Sequence, residues 1–184
     1  PDYVPFDGEY VLDSDEILEL EDLPRSITVI GAGVIGVEYA TIFSALDVHV
    51  TLVEPRDSML DFIDSELVSD FTHELRDRGI AMRFGSKVEA IRKLGPGRCE
   101  ITLEGGRLVR SNVVLFAAGR MGATGSLNLD ACGLNVDHRG RIKADPKTFQ
   151  TEVPHIFAAG DVIGFPSLAS TSMEQGRIAA CHAL

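Results

Sequence analysis

One run constrains this chain more than any other: Gly31-Ala32-Gly33-Val34-Ile35-Gly36, because of what lies on either side of it. Before it, Ser26-Ile27-Thr28-Val29-Ile30 is short, apolar and β-branched, and reads as a buried strand. After it, residues 37–46 read as a helix, and a second strand-like run, Val48-His49-Val50-Thr51-Leu52-Val53, ends at Glu54. Three glycines in the GxGxxG spacing are a weak signal alone. Strand, turn, helix, strand and terminal acid in this order make the βαβ unit that binds dinucleotides. An ordinary glycine-rich turn in an α/β protein is the alternative.

The spacing has a physical reason. Gly31 permits the tight turn off the strand, and Gly33 has no Cβ to obstruct a pyrophosphate. Gly36 lets helix and sheet pack closely. Val34 and Ile35 lie just before the helix, whose start offers N–H groups without helical partners and the positive end of its dipole to phosphate. Glu54 lies 23 residues after Gly31. A carboxylate there accepts hydrogen bonds from the adenosine ribose and repels a 2′-phosphate, so NAD(H) is expected over NADP(H). Arg56 is a counterweight to that repulsion. A plain solvated charge at a strand end is the other reading of Glu54.

Composition excludes several classes. The chain has 184 residues and a net charge of −11, which argues against nucleic acid or an anionic membrane as partner. No apolar run approaches the ~20 residues of a membrane span, and no signal-peptide pattern is present. The chain opens at Pro1 rather than Met, as expected of a removed start or an excised piece. Cys99, Cys132 and Cys181 form no close pair, so neither a zinc spacing nor a local redox disulfide is expected. All three are read as small core residues, and scattered thiols fit a reducing cytoplasm. The five histidines, His49, His73, His138, His155 and His182, do not cluster and receive no catalytic role.

Three stretches organise the chain. Residues 1–23 read as a lead-in, with a short helical turn at 15–20 capped by Asp13 or Ser14. Residues 24–145 read as a Rossmann-like α/β domain, a parallel sheet with helices on both faces. Asp64 to Arg78 is an amphipathic helix, with Leu67, Phe71 and Leu75 as its apolar positions, Asp64 as N-cap and Gly79 as C-cap. Residues 80–84 form another strand. The runs 87–94, 99–103 and 107–110, separated by Gly95-Pro96-Gly97 and Gly105-Gly106, form a small antiparallel β-meander. Val113 to Ala117 returns as a buried strand ending at Gly119, a position that lets a ligand approach the backbone. Residues 146–184 contain an apolar strand ending in Gly160-Asp161, then a helix from Ser167 to Ala183.

Val29 to Glu38, Leu115 to Arg120 and Ile156 to Asp161, in that order and spacing, resemble the pyridine nucleotide-disulfide oxidoreductase family over nearly the whole chain. The resemblance implies that Gly31, Gly33 and Gly36 hold the pyrophosphate of a pyridine nucleotide, and that Glu54 meets its ribose. It implies that Glu38 lies near flavin and nicotinamide, that Gly119 lies beside the bound nucleotide, and that Asp161 contacts the FAD ribityl chain. It implies an α/β oxidoreductase using NAD(H) or NADP(H), with FAD in the full-length enzyme. Residues 24–145 would then be the NAD(H)-binding domain and 146–184 part of the FAD domain. The remaining FAD domain and a dimer-forming interface domain would lie outside this chain, and a homo-oligomer is expected.

The stretch Asp161 to Ala180 is most similar to the soluble, flavin-dependent transhydrogenase branch, which passes hydride between NAD(H) and NADP(H). Ser170 stands where dihydrolipoamide dehydrogenases usually carry histidine, and Arg120-Met121-Gly122-Ala123-Thr124 departs from their commoner Arg-x-Pro-Asn pattern. That second branch is the alternative, and a non-catalytic nucleotide sensor is a third reading.

Overall fold

A computed structural model describes residues 4–184. Its contacts separate the chain into two compact units, one ending at Gly119 and one running from Arg120 to Leu184.

The first unit is built on a parallel sheet of β1 (Val11–Leu12), β2 (Ser26–Ile30), β3 (His49–Val53), β4 (Ala81–Arg83) and β8 (Val113–Phe116), in the order β1-β8-β2-β3-β4. Between them run α1 (Val34–Ala45) and α2 (Ser65–Asp77), and the antiparallel β5 (Val88–Gly95), β6 (Arg98–Leu103) and β7 (Arg107–Ser111). The central strands are apolar on both sides because both sides are covered. Ile27, Val29, Val50, Leu52, Val113 and Leu115 pack with Val37, Ala40, Phe43, Val68 and Leu75 of the helices. Ile30, Val53, Val114 and Phe116 pack with Val88, Ile91, Cys99, Ile101 and Leu103 of the meander. The expected α/β architecture and meander are present. The faces are divided, α1 and α2 on one and the meander on the other, where helices on both had been expected. The alternation of β6 explains this: Cys99, Ile101 and Leu103 point inward, which gives the meander an apolar face of its own.

The lead-in is part of the sheet. Val11 pairs with Val114 and Leu12 with Leu115, so β1 forms an edge strand. Asp7 fixes its approach, accepting from the N–H groups of Glu9, Tyr10 and Val11 and pairing with Lys93. Burial opposes ionisation of Asp7, and the Lys93 and backbone hydrogen bonds outweigh it, holding the carboxyl well below the usual range. Asp13 accepts from the N–H groups of Asp15 and Glu16 and starts the 3-10 turn Glu16–Glu19. The first three residues of the lead-in lie outside the described residues.

Asp64 caps α2 as expected, accepting from Glu66 N at 2.9 Å, and Gly79 takes a φ of +84° just past its end. The buried stripe of α2 is Val68 and Leu75, flanked by the half-buried Phe71; Leu67 is exposed. Asp64→Ala is expected to destabilise the first unit by about 1 kcal/mol. Urea denaturation of the two proteins checks this.

The second unit carries α3 (Ala169–Ala183) and two 3-10 turns, Leu129–Cys132 and Asp161–Ile163. By their contacts, residues 120–145 belong to this unit. Ile142 N donates to Val162 O, and Ala144 bridges Thr151. The apolar run before Gly160 is not a strand here. It makes single bridges, such as Gln150 to Phe157, because no neighbouring strand in this unit continues the ladder. Cys99 is buried as expected, and burial pushes its thiol up to about 11. Cys132 and Cys181 are exposed, not core residues; both lie on short or outward helical faces.

Candidate functional site

The first helical turn of α1 begins directly off β2, and the glycines divide the work of making that possible. Gly31 has a φ of +106°, and a Cβ there would stand 2.6 Å from the Ala117 carbonyl oxygen. Its N–H donates to Val53 O at 2.8 Å, which ties the turn to β3. A Cβ on Gly36 would overlap the carbonyl oxygen of Gly31. These two glycines are required by the fold. Gly33 differs: its backbone is ordinary and extended, and a Cβ there would meet nothing within 4 Å. Gly33 caps α1 without any side-chain hydrogen bond. The N–H groups of the first turn, Val34 and Ile35 among them, thus lack a capping side chain, and the space beside Gly33 is open. That is a cradle for an anion with a close backbone approach.

Glu54 sits just past the end of β3, only 3 % exposed. Its Oε2 accepts from Ala32 N at 2.7 Å, so the acid at the second strand supports the glycine turn of the first. Its Oε1 accepts from Arg56 N at 3.1 Å and Arg56 Nε at 2.7 Å, and Oε2 also accepts from Arg56 Nη2 at 3.2 Å. Arg56 Nη1 pairs with Asp61. Burial acts to raise the Glu54 carboxyl, and the hydrogen bonds from Arg56 and Ala32 overcome it, holding it below the ordinary carboxylate range. Ala32 O accepts from Leu60 N at 3.0 Å, so the loop carrying Arg56 and Asp61 is fastened to the glycine turn as well.

The plain solvated charge is therefore excluded as a description of Glu54. Sequence reasoning identified Glu54 and noticed Arg56, but missed that Arg56 occupies the carboxylate and that Asp61 holds the other side of the guanidinium. The Glu-x-Arg spacing was the available signal, since residues two apart past a strand end can fold back on each other.

Gly119, with a φ of +118°, ends the turn after β8 beside the Gly31 turn and is exposed. Glu38 is exposed on the first turns of α1, and no hydrogen bond or ion pair engages it among the described residues. Gly31, Gly33, Val34, Ile35, Gly36, Glu54 and Gly119 thus meet at the carboxyl ends of the parallel strands, where open α/β sheets bind ligands. Asp161 lies in the second unit, exposed, at the start of the turn Asp161–Ile163. There Gly160 has a φ of +84°, and its N–H donates at 2.7 Å to the buried Gln175 of α3, which fixes the Gly-Asp turn against the helix.

Comparison with known proteins gives a consistent set of likenesses. The profile of the pyridine nucleotide-disulphide oxidoreductase family matches residues 4–176. A soluble pyridine nucleotide transhydrogenase of Mycobacterium bovis (strain BCG / Pasteur 1173P2) is 53% identical over 183 residues, covering 100% of this chain and 39% of that protein. One from Colwellia psychrerythraea is 44% identical over 180 residues, covering 98% and 38%. Among solved structures, LpdA from Mycobacterium tuberculosis superposes with a TM-score of 0.91 at 29% identity, covering all of this chain and 39% of that one. The HOCl-induced flavoprotein disulfide reductase RclA from Escherichia coli, as its Cu(II) complex, gives 0.87 at 30% identity, covering 99% and 40%. The chain spans about two-fifths of the length of these four proteins.

Proposed function

The chain belongs to the pyridine nucleotide-disulphide oxidoreductase family, and we propose that its first unit is the NAD(H)-binding part of a flavin-dependent soluble pyridine nucleotide transhydrogenase. The observation that carries this is the cradle at Gly33: a helix N-terminus with open space where a Cβ would stand, braced by Glu54 through Ala32. That geometry fits a dinucleotide pyrophosphate. Gly31 and Gly36 shape the turn, Gly33, Val34 and Ile35 offer backbone to the phosphates, and Gly119 leaves room beside the nucleotide. Glu38, exposed and without a partner among the described residues, is the carboxylate proposed to face the nicotinamide end.

The second unit is proposed as a segment of the FAD-binding part. Asp161 would accept a hydrogen bond from the ribityl chain, with Gln175 holding the Gly160-Asp161 turn in place. Bound pyridine nucleotides would supply and accept hydride, and a bound flavin would relay it. The residues of this chain bind and orient these groups; none is assigned as a general acid, base or nucleophile. The names of the transhydrogenase relatives support this reading. Among the described residues no helix is long and apolar enough to cross a membrane. A cytoplasmic homo-oligomer remains the proposed setting.

The likeness to LpdA and RclA favours a second reading, a flavin disulfide oxidoreductase. One assay separates the two. The full-length protein, loaded with FAD, is expected to reduce an NAD analogue of shifted absorbance with NADPH as donor. Reduction of a disulfide by NADH, with no transfer between nucleotides, selects the second reading instead.

A further inference from the structure

The carboxylate of Glu54 has no acceptor capacity left. A carboxylate offers about four lone-pair positions, and Ala32 N, Arg56 N, Arg56 Nε and Arg56 Nη2 fill them. A ribose diol needs to donate to that group, so it cannot do so while Arg56 stays where it is. Two of the four bonds come from the Arg56 side chain, which is 46% exposed and can turn into solvent. Asp61 already holds its Nη1. The backbone beside Asp61 is pinned, because Leu60 N donates to Ala32 O.

We propose that Arg56 is a movable counter-charge that lets one ribose subsite accept dinucleotides both with and without a 2′-phosphate, and that Asp61 sets its balance between the two. This rests on the dinucleotide reading of the site. With Arg56 on Glu54, a 2′-phosphate entering the subsite meets a guanidinium before it meets the carboxylate. Of the five N–H groups of Arg56, one each on Nε and Nη2 serves Glu54 and one on Nη1 serves Asp61, so two remain for phosphate oxygens. With Arg56 turned toward Asp61, Glu54 keeps its two backbone donors and presents two vacated positions to the 2′- and 3′-hydroxyls. Asp61 favours the second arrangement twice over. It draws the guanidinium away from Glu54, and it repels phosphate.

The two residues therefore act with opposite sign, which mere structural damage would not produce. Calorimetric titration of the full-length protein with NADH and NADPH, for wild type, Arg56→Ala, Arg56→Lys and Asp61→Asn, reads this directly. Arg56→Ala is expected to weaken NADPH at least tenfold and to leave NADH unchanged or tighter. Arg56→Lys should restore part of the NADPH affinity. Asp61→Asn should raise the NADPH-to-NADH affinity ratio at least threefold. A ratio that is unchanged in Arg56→Ala or Asp61→Asn, or that moves the same way in both, overturns the proposal and leaves the dinucleotide reading standing. A wild-type protein that binds neither nucleotide overturns that reading itself.

Discussion

Gly36→Ala is expected to abolish measurable dinucleotide binding and to destabilise the first unit by about 2–3 kcal/mol, the range of a forced overpacking. The added methyl would overlap the carbonyl oxygen of Gly31, which is backbone and cannot rotate away. Relief requires α1 to move off the sheet. That movement drags the first-turn N–H groups away from the proposed phosphate position and loosens the Ala32 hydrogen bond to Glu54. Fold and site therefore fail together. Gly33→Ala is the contrast. Its methyl meets nothing within 4 Å, so stability should change by about 1 kcal/mol or less, the scale of a helix-cap preference. Dinucleotide affinity should nonetheless fall at least tenfold, about 1.4 kcal/mol, because the methyl stands in the space proposed for the pyrophosphate. Thermal melts paired with NADH titrations test both variants. A Gly33→Ala protein that binds NADH as wild type does would show that this space is not the pyrophosphate site.

That contrast also marks what the sequence makes legible. Gly31, Gly33 and Gly36 are readable because each replaces an interaction that any side chain would disturb, and the flanking strand and helix repeat at their own periods. Residues 26–30 and 113–116 stand out as continuous apolar runs, and the meander is set off by its glycine turns. β1 does not stand out. Two residues have no periodicity, and their partner strand lies a hundred residues away. The apolar run at 151–159 misleads for the opposite reason: its pattern is that of a strand, but pairing is a property of neighbours rather than of the run. The division of the sheet's two faces between helices and meander depends on which surface each connection crosses. No local pattern states that. At the site, Glu54 was legible by position, while its engagement by Arg56 and Asp61 depends on a side-chain conformation within a short loop. Residue types supply the partners there but not the choice among them.

Glu54 itself gives the second large effect. Its carboxyl is held below the ordinary range in the folded chain, against the pull of its own burial, by Arg56 and the Ala32 N–H. A depressed folded value adds stability that is fully present above the unfolded carboxylate range, near 4.5, and that is lost as pH falls through the folded value. Glu54→Gln keeps the shape and an oxygen for Ala32, but turns an amide N–H₂ toward Arg56 and leaves a buried donor facing a donor. At pH 7 the cost is expected to be about 2 kcal/mol. This is below the range for breaking a fully buried pair, because the half-exposed Arg56 can turn to water and to Asp61. The gap should begin to close as pH falls below the unfolded carboxylate value of 4.5 and vanish only below the lower folded value, so the stability curves of the two proteins converge toward acid pH. Urea denaturation at steps from pH 7 to pH 3 measures the gap. Curves that run parallel throughout would mean that the Glu54 charge does not brace the turn. The brace at Ala32 would then be a neutral hydrogen bond, and the coupling between Glu54 and the glycine turn would be geometric rather than electrostatic.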